Sequence, residues 1–412
     1  MKTDSLAQWQ PCQSYCQMNG AAAAVLSFSD TKVLLNGPSW CSLVAERELM
    51  SYDRTIQQRL YSSHVEQPDL LFGTGEKIRE LVEELQRTHP DTSLLAVLTS
   101  CSVGLIGDDV SGIVNNLEQS IPVIAMDAGG LTGLFEEGYQ AAMVAMLKKM
   151  KLQPCDDVAP KRVNLLGYCG YYPNSSGDLI ELKRLLAAAG FEMGMCPGQH
   201  GLTLRQLEEL PRAALNVVLS PELGLEAAMY LKEKTGQDYT ILPTPYGIKQ
   251  TMEWLKKIGE KLSVVPDLAK IKQEASVMEE NIAEEVGALK RIVPNLTFKE
   301  TLLDLPPAQA EKMAEALRHG ILEVEEIKQI CNGTYNGLAG SDYRLLLGTF
   351  SDRMMVGDYQ HTVYINMFKA DGLIRRKCKT FAGIEGWGSL IEEIVEQILT
   401  LYYLKEERQK PL

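Results

Sequence analysis

The chain has 412 residues, 45% of them hydrophobic and 23% charged, which is the balance of a soluble globular protein too long for a single core. Its 54 acidic and 41 basic residues leave a net charge of -13, which argues against nonspecific binding to nucleic acid or to an anionic membrane surface. Met1 to Gln10 lacks a secretory apolar core, and the nine cysteines, an odd number, read as intracellular thiols rather than a disulfide framework, so a cytoplasmic location is expected.

Met1 to Gln13 reads as a loose lead-in, and Ala21 to Leu26 as a packed helix or strand too short to cross a bilayer. Thr31 to Leu35 reads as a strand, and Glu46 to Arg59 has apolar residues at helical intervals. Thr74 can cap a helix running to Thr88. Leu94 to Leu98 has the length and β-branched content of a buried strand. The helical pattern Val110 to Leu117 follows, with Asp108 and Asp109 placed as helix-starting residues. Ile121 to Met126 is another buried-strand run and Glu136 to Met150 a helix. The stretch from Gln153 to Pro160 looks like a linker.

From Arg162 strands and helices alternate. The strands are Val163 to Tyr168, Phe191 to Met195, Leu215 to Leu219 and Thr240 to Leu242. The helices are Asp178 to Ala189, Leu204 to Leu210, Leu223 to Lys234 and Ile248 to Leu262. That rhythm predicts a parallel, doubly wound sheet covered on both faces, and no G-x-G-x-x-G fingerprint marks a dinucleotide site in it. Asp267 to Lys290 and Pro307 to Leu317 are amphipathic. Tyr343 to Thr349, Met354 to Val356 and Val363 to Phe368 read as short strands before a final helix, Leu390 to Leu404.

The predicted class is α/β, with several Rossmann-like domains built on parallel sheets and a third domain that is reduced and partly helical. Three domains are expected: an N-terminal α/β domain over 1–158, a Rossmann-like domain over 159–262, and a shortened helical and α/β domain over 263–412.

Three cysteines carry the chemistry. Cys16 opens Cys16-Gln17-Met18-Asn19-Gly20-Ala21, Cys41 closes Gly37-Pro38-Ser39-Trp40-Cys41, and Cys101 stands in Thr99-Ser100-Cys101-Ser102-Val103-Gly104-Leu105-Ile106-Gly107-Asp108-Asp109. Cys101 thus falls at the carboxyl end of a strand, where open α/β sheets present their chemistry. Gly20, Gly37 and Gly104 attend the three thiols. An iron–sulfur cluster needs thiolates, and its negative charge is eased by backbone N–H groups that come close only where Cβ is absent.

These motifs, in this order and spacing, resemble those of the nitrogenase component 1 family. The resemblance is densest from Cys12 to Leu147 and returns at Phe381-Ala382-Gly383-Ile384-Glu385-Gly386-Trp387. It implies an anaerobic, electron-transferring oxidoreductase subunit. Cys16, Cys41 and Cys101 would ligate an iron–sulfur cluster, either 4Fe-4S or a larger variant at a subunit interface. It further implies a second component 1-like subunit, in a homo- or hetero-oligomer, and an ATP-dependent iron–sulfur reductase that supplies the electrons. No nucleic acid or membrane partner is expected.

A fourth ligand would come from Cys12, Asp127 or the partner. Cys12 and Cys16 could equally form a zinc pair, although the five histidines are scattered. The glycine loop from Asp127 to Gly133 reads either as the family's loop beside its cluster or as an ordinary strand-to-helix turn. Where the family's dinitrogen-reducing members hold their large cofactor by cysteine, this chain has Leu219-Ser220-Pro221-Glu222. His361 does not sit in the family's histidine motif, so neither an iron–molybdenum cofactor nor dinitrogen reduction is expected. Tyr168, Tyr171 and Tyr172 could offer flat surfaces to an aromatic substrate such as a tetrapyrrole, or pack a domain interface. The alternative to a substrate-reducing subunit is a non-catalytic scaffold for iron–sulfur or cofactor assembly.

Overall fold

The computed structural model describes residues 16–50, 53–170, 176–294, 296–320, 322–330, 343–357, 359–367 and 380–408. By packing, the chain divides into two units, one gathering residues 15–171 with 194–241 and the other 172–193 with 242–412.

The first unit is built on Leu94–Thr99, an all-apolar strand apart from its last residue and buried throughout, as a central strand covered on both faces must be. Its parallel partners are Thr31–Asn36 on one side and Val123–Asp127 on the other, and the short strand Leu60–Ser62 forms the edge beyond Thr31–Asn36. The register sets Asn36 beside Thr99 and Thr99 beside Asp127, so three strands finish level at one carboxyl edge. Helix Gln17–Leu26 is buried along nearly its whole length, which explains a sequence that is apolar all round rather than striped. It lies against helix Phe135–Met150 at a backbone-to-backbone approach. A Cβ on Gly20 would overlap the Phe135 carbonyl, and one on Gly138 the Gln17 carbonyl. In the same unit, Ala159–Leu166, Ala213–Val218 and Asp238–Ile241 run parallel and adjacent in that order.

The second unit contains the four-stranded parallel sheet Glu323–Gln329, Thr297–Leu303, Tyr343–Gly348, Thr362–Asn366, in that spatial order. Phe298, Leu303, Leu345, Leu347, Val363 and Ile365 pack there with Trp387, Leu390 and Ile394 of the long helix Gly383–Arg408. The Asp178 carboxylate fixes the entry to that helix, accepting from Thr380 Oγ1 (2.9 Å) and from the backbone N–H groups of Phe381 (2.7 Å) and Ala382 (3.0 Å).

The α/β class and the parallel sheets are as the sequence indicates. The last third differs in detail. Its sheet includes Thr297–Leu303 and Glu323–Gln329, two strands that the apolar pattern does not reveal, and Met354 to Val356 ends the helix Phe350–Val356 rather than forming a strand. Glu46 to Arg59 is not one helix either. The helix runs Ser39–Met50, and Arg54–Gln58 is a separate 3-10 turn capped by Asp53. No helix among the described residues is long and apolar enough to cross a membrane.

Candidate metal centre

All three cysteines of interest stand in the opening turn of a helix. Cys16 precedes Gln17–Leu26 as its cap residue, Cys41 is the third residue of Ser39–Met50, and Cys101 is the first of Cys101–Ile106. A helix start carries positive potential, a setting that suits a negatively charged group. The level carboxyl edge of the first sheet explains how distant segments meet. Cys41 follows the Asn36 strand end and Cys101 the Thr99 end, while the loop after Asp127 carries Gly129 and Gly130. Cys16 is brought in through an isolated antiparallel bridge to Leu134 and the Gln17 N–H, which donates to Gly133 O at 3.2 Å.

Gly129 and Gly130 lie between two of the thiols. A Cβ on Gly130 would stand 2.7 Å from the Cys16 Cβ and 3.8 Å from Cys101 Sγ, and one on Gly129 3.5 Å from Cys101 Sγ. Burial pushes the Cys41 thiol above its ordinary value, and the Cys16 and Cys101 thiols, near enough to repel its anion, push it further. The three half-buried sulfurs therefore share one neighbourhood. Among the described residues no group of three or more His, Cys, Asp or Glu side chains could hold a single metal ion. Two of the thiols, those of Cys16 and Cys101, face the glycine loop, and the third stands close to both.

A polar network braces this edge from behind. Asn36 Nδ2 donates to Thr74 Oγ1 (2.9 Å), Ser63 Oγ to Asn36 Oδ1 (3.0 Å), and the Gly37 N–H to Ser63 Oγ (3.2 Å). Thr74 caps nothing with its side chain. Its N–H and hydroxyl both donate to Asp108 Oδ2, at 2.5 and 2.8 Å, so Asp108 is a cross-link rather than a helix-starting residue. Asp109 alone caps the next helix, accepting from Gly112 N at 2.8 Å. Asp108→Ala leaves two donors without their acceptor and is expected to cost about 1–3 kcal/mol, measured as a lower midpoint in chemical denaturation.

The attendant glycines separate by role. Gly37 permits close approach, since a Cβ there would stand 2.7 Å from the Ser100 side chain and 3.7 Å from the Cys41 Cβ. Gly20 packs helix on helix, facing Phe135. Gly104 has open space where its Cβ would be. Tyr168 is buried, and its carbonyl accepts from the Tyr139 hydroxyl at 2.8 Å. Asp127 is exposed at its strand end. Cys12, Tyr171, Tyr172, Cys331 and Cys378 lie outside the described residues. Gly129 and Gly130 belong to the site more closely than Gly20 or Gly104. The sequence signal for them is a glycine pair one residue beyond an apolar strand.

Parallel sheets with helices between their strands, and three thiols at one sheet edge, define an α/β protein. A family profile described as nitrogenase component 1 type oxidoreductase matches residues 16–302, and the chain belongs to that family. It is 28% identical over 273 residues to a nitrogenase iron-iron protein beta chain of Rhodobacter capsulatus, covering 60% of this chain and 57% of that one. It is 25% identical over 279 residues to the nitrogenase iron-molybdenum cofactor biosynthesis protein NifE of Clostridium pasteurianum, covering 66% and 59%. With a light-independent protochlorophyllide reductase subunit of Chloroherpeton thalassium the identity is 30% over 207 residues, 50% of this chain and 38% of that one. The matches thus span less than two thirds of these relatives' lengths. A solved structure described as "Nitrogenase Cp1 at pH 6.5" superposes with a TM-score of 0.73 over 98% of this chain and 94% of the other at 18% identity, a likeness of fold.

Proposed function

We propose that this chain is a nitrogenase-like component 1 subunit that holds an iron–sulfur cluster through Cys16, Cys41 and Cys101. It passes electrons from an ATP-dependent iron–sulfur reductase to a substrate other than dinitrogen. The observation that carries the reading is the meeting of Cys16 and Cys101 across Gly129 and Gly130, with Cys41 close enough to feel both thiols. When bound, the cluster supplies one-electron storage at a potential set by its surroundings. The chain's residues supply thiolates at three helix starts, a glycine loop without Cβ atoms in the way, and partial exclusion of water.

The elements that bear the thiols also expose large apolar side chains. Trp40 and Leu43 flank Cys41, Leu105 follows Cys101, and Leu131 follows Gly130. Apolar surface of this kind supports a second component 1-like subunit closing over the site and providing the remaining ligand, with Cys12 and Asp127 the candidates within this chain. The substrate assignment away from dinitrogen rests on Ser220, Pro221 and Glu222, where no thiol is available at the start of helix Pro221–Thr235.

The test is anaerobic purification with the partner subunit, followed by iron and sulfide analysis and electron paramagnetic resonance of the dithionite-reduced protein. Cys101→Ala is expected to lose most of the iron and the wild-type signal. Iron-free wild-type protein, or a signal unchanged in the variant, overturns the assignment. The second reading, a scaffold for cluster or cofactor assembly, is favoured by the likeness to the biosynthesis protein, which extends over 66% of this chain. Reductase and ATP separate the two, because a reducing subunit consumes substrate with turnover and a scaffold gives up its cluster to an acceptor protein.

A further inference from the structure

At the edge of the first sheet, the strand Leu60–Ser62 has a neighbour along one side only among the described residues. Arg59 O accepts from Val33 N and Ser63 N donates to Leu35 O, both at 2.9 Å, so residues 59, 61 and 63 turn their main-chain groups toward Thr31–Asn36. By the alternation of a strand, Leu60 and Ser62 turn theirs outward. Beside them opens a cavity of about 550 Å³, with one wall from helix Ser39–Met50 and the other from helix Gly75–Thr88.

The lining has a definite character. Leu81 and Leu85 make it partly apolar, while Glu46 on one wall and Glu84 on the other place a carboxylate on each side. Among the described residues no lysine or arginine lines the cavity. Glu46 accepts from Gln57 Nε2 at 2.8 Å through one oxygen, which leaves the other for a further donor, and Glu84 is exposed. Native sheets usually blunt an open edge with lysine, proline or a bulge, but this edge reads Leu60-Tyr61-Ser62.

We propose that this groove receives an extended peptide segment of a partner protein, carrying a lysine or arginine, which adds as a further strand beside Leu60–Ser62. Main-chain bonds to Leu60 and Ser62 would hold the segment, and apolar side chains would rest on Leu81 and Leu85. Its cation would sit between Glu46 and Glu84, the mode in which an added strand takes affinity from backbone bonds and specificity from alternate side chains. The proposal uses none of the thiols, although the helix forming one wall of the groove also carries Cys41.

The full chain can be tested by selecting a phage-displayed library of random octapeptides on it and synthesising the enriched sequences. The expected peptides carry lysine or arginine among β-branched residues and slow hydrogen exchange at the Leu60 and Ser62 amides. They should bind at least tenfold more weakly to the Glu46→Lys/Glu84→Lys variant. Failure to enrich any sequence, protection elsewhere on the chain, or affinity indifferent to the charge reversal overturns the proposal. Glu84→Lys alone, at an exposed position, serves if the double variant does not fold, and a several-fold weakening is then required.

Discussion

Gly138→Ala is expected to destabilise the protein by about 3 kcal/mol or more, at the upper end of what overpacking usually costs. The new Cβ would overlap the Gln17 carbonyl and stand 3.0 Å from Ala21 N, both main-chain atoms that no rotamer change can move aside. Relief requires helices Gln17–Leu26 and Phe135–Met150 to part. Cys16 caps the first of these and bridges to Leu134 at the start of the second, so their separation carries its sulfur away from Gly130. The variant should therefore show a lower guanidinium midpoint and reduced iron content together. Gly104→Ala provides the contrast. Its Cβ meets nothing within 4 Å, and alanine is the better helix former, so stability should hold or rise by up to about 1 kcal/mol.

Glu222→Gln should stabilise the protein at neutral and alkaline pH and do little in acid. Burial, helped by the Glu136 carboxylate, pushes the Glu222 carboxyl up to about 7 from an ordinary 4.5, against the pull of its own main-chain N–H. Its Oε2 is buried with no hydrogen-bond partner. Between those two values the folded chain keeps a proton that the unfolded chain releases, so raising the pH through this window favours unfolding. Below the window both states are protonated and the penalty vanishes. Above it the penalty is complete, on the order of 3 kcal/mol for a shift of this size. Glutamine has no such proton to lose. Denaturation curves of the two proteins at pH 4.5 and pH 8 should nearly coincide at the lower value and separate at the higher, with the variant ahead. Equal separation at both would mean that the carboxyl does not titrate in this window.

The first sheet is legible because Leu94–Thr99 and Thr31–Asn36 are buried on both faces and their apolar runs admit few other readings. Thr297–Leu303 and Glu323–Gln329 are hidden for the opposite reason, since charges paired across strands satisfy them. Lys299 meets Glu325 at 2.5 Å, Lys328 meets Glu300 at 2.9 Å, and Arg344 meets Glu300 at 3.2 Å. A run such as Glu323-Val324-Glu325-Glu326 looks solvated until its partners are known. The positions and order of Cys16, Cys41 and Cys101 can be read along the chain. Their gathering cannot, because it depends on strand register and on a bridge between Cys16 and Leu134. Cys101–Ile106 is a helix too short for periodicity to announce, so the placement of Cys101 at a helix start is also a tertiary result.

Because every strand pairing traced among the described residues is parallel, none of those neighbours can close as a hairpin while they leave the ribosome. The nascent polypeptide must hold long, sticky segments apart until distant partners have been translated, a slow search that invites aggregation and rewards chaperone protection. Among the described residues the first four strands all fall within residues 31–127, so that layer can finish assembling while the remainder is still being made.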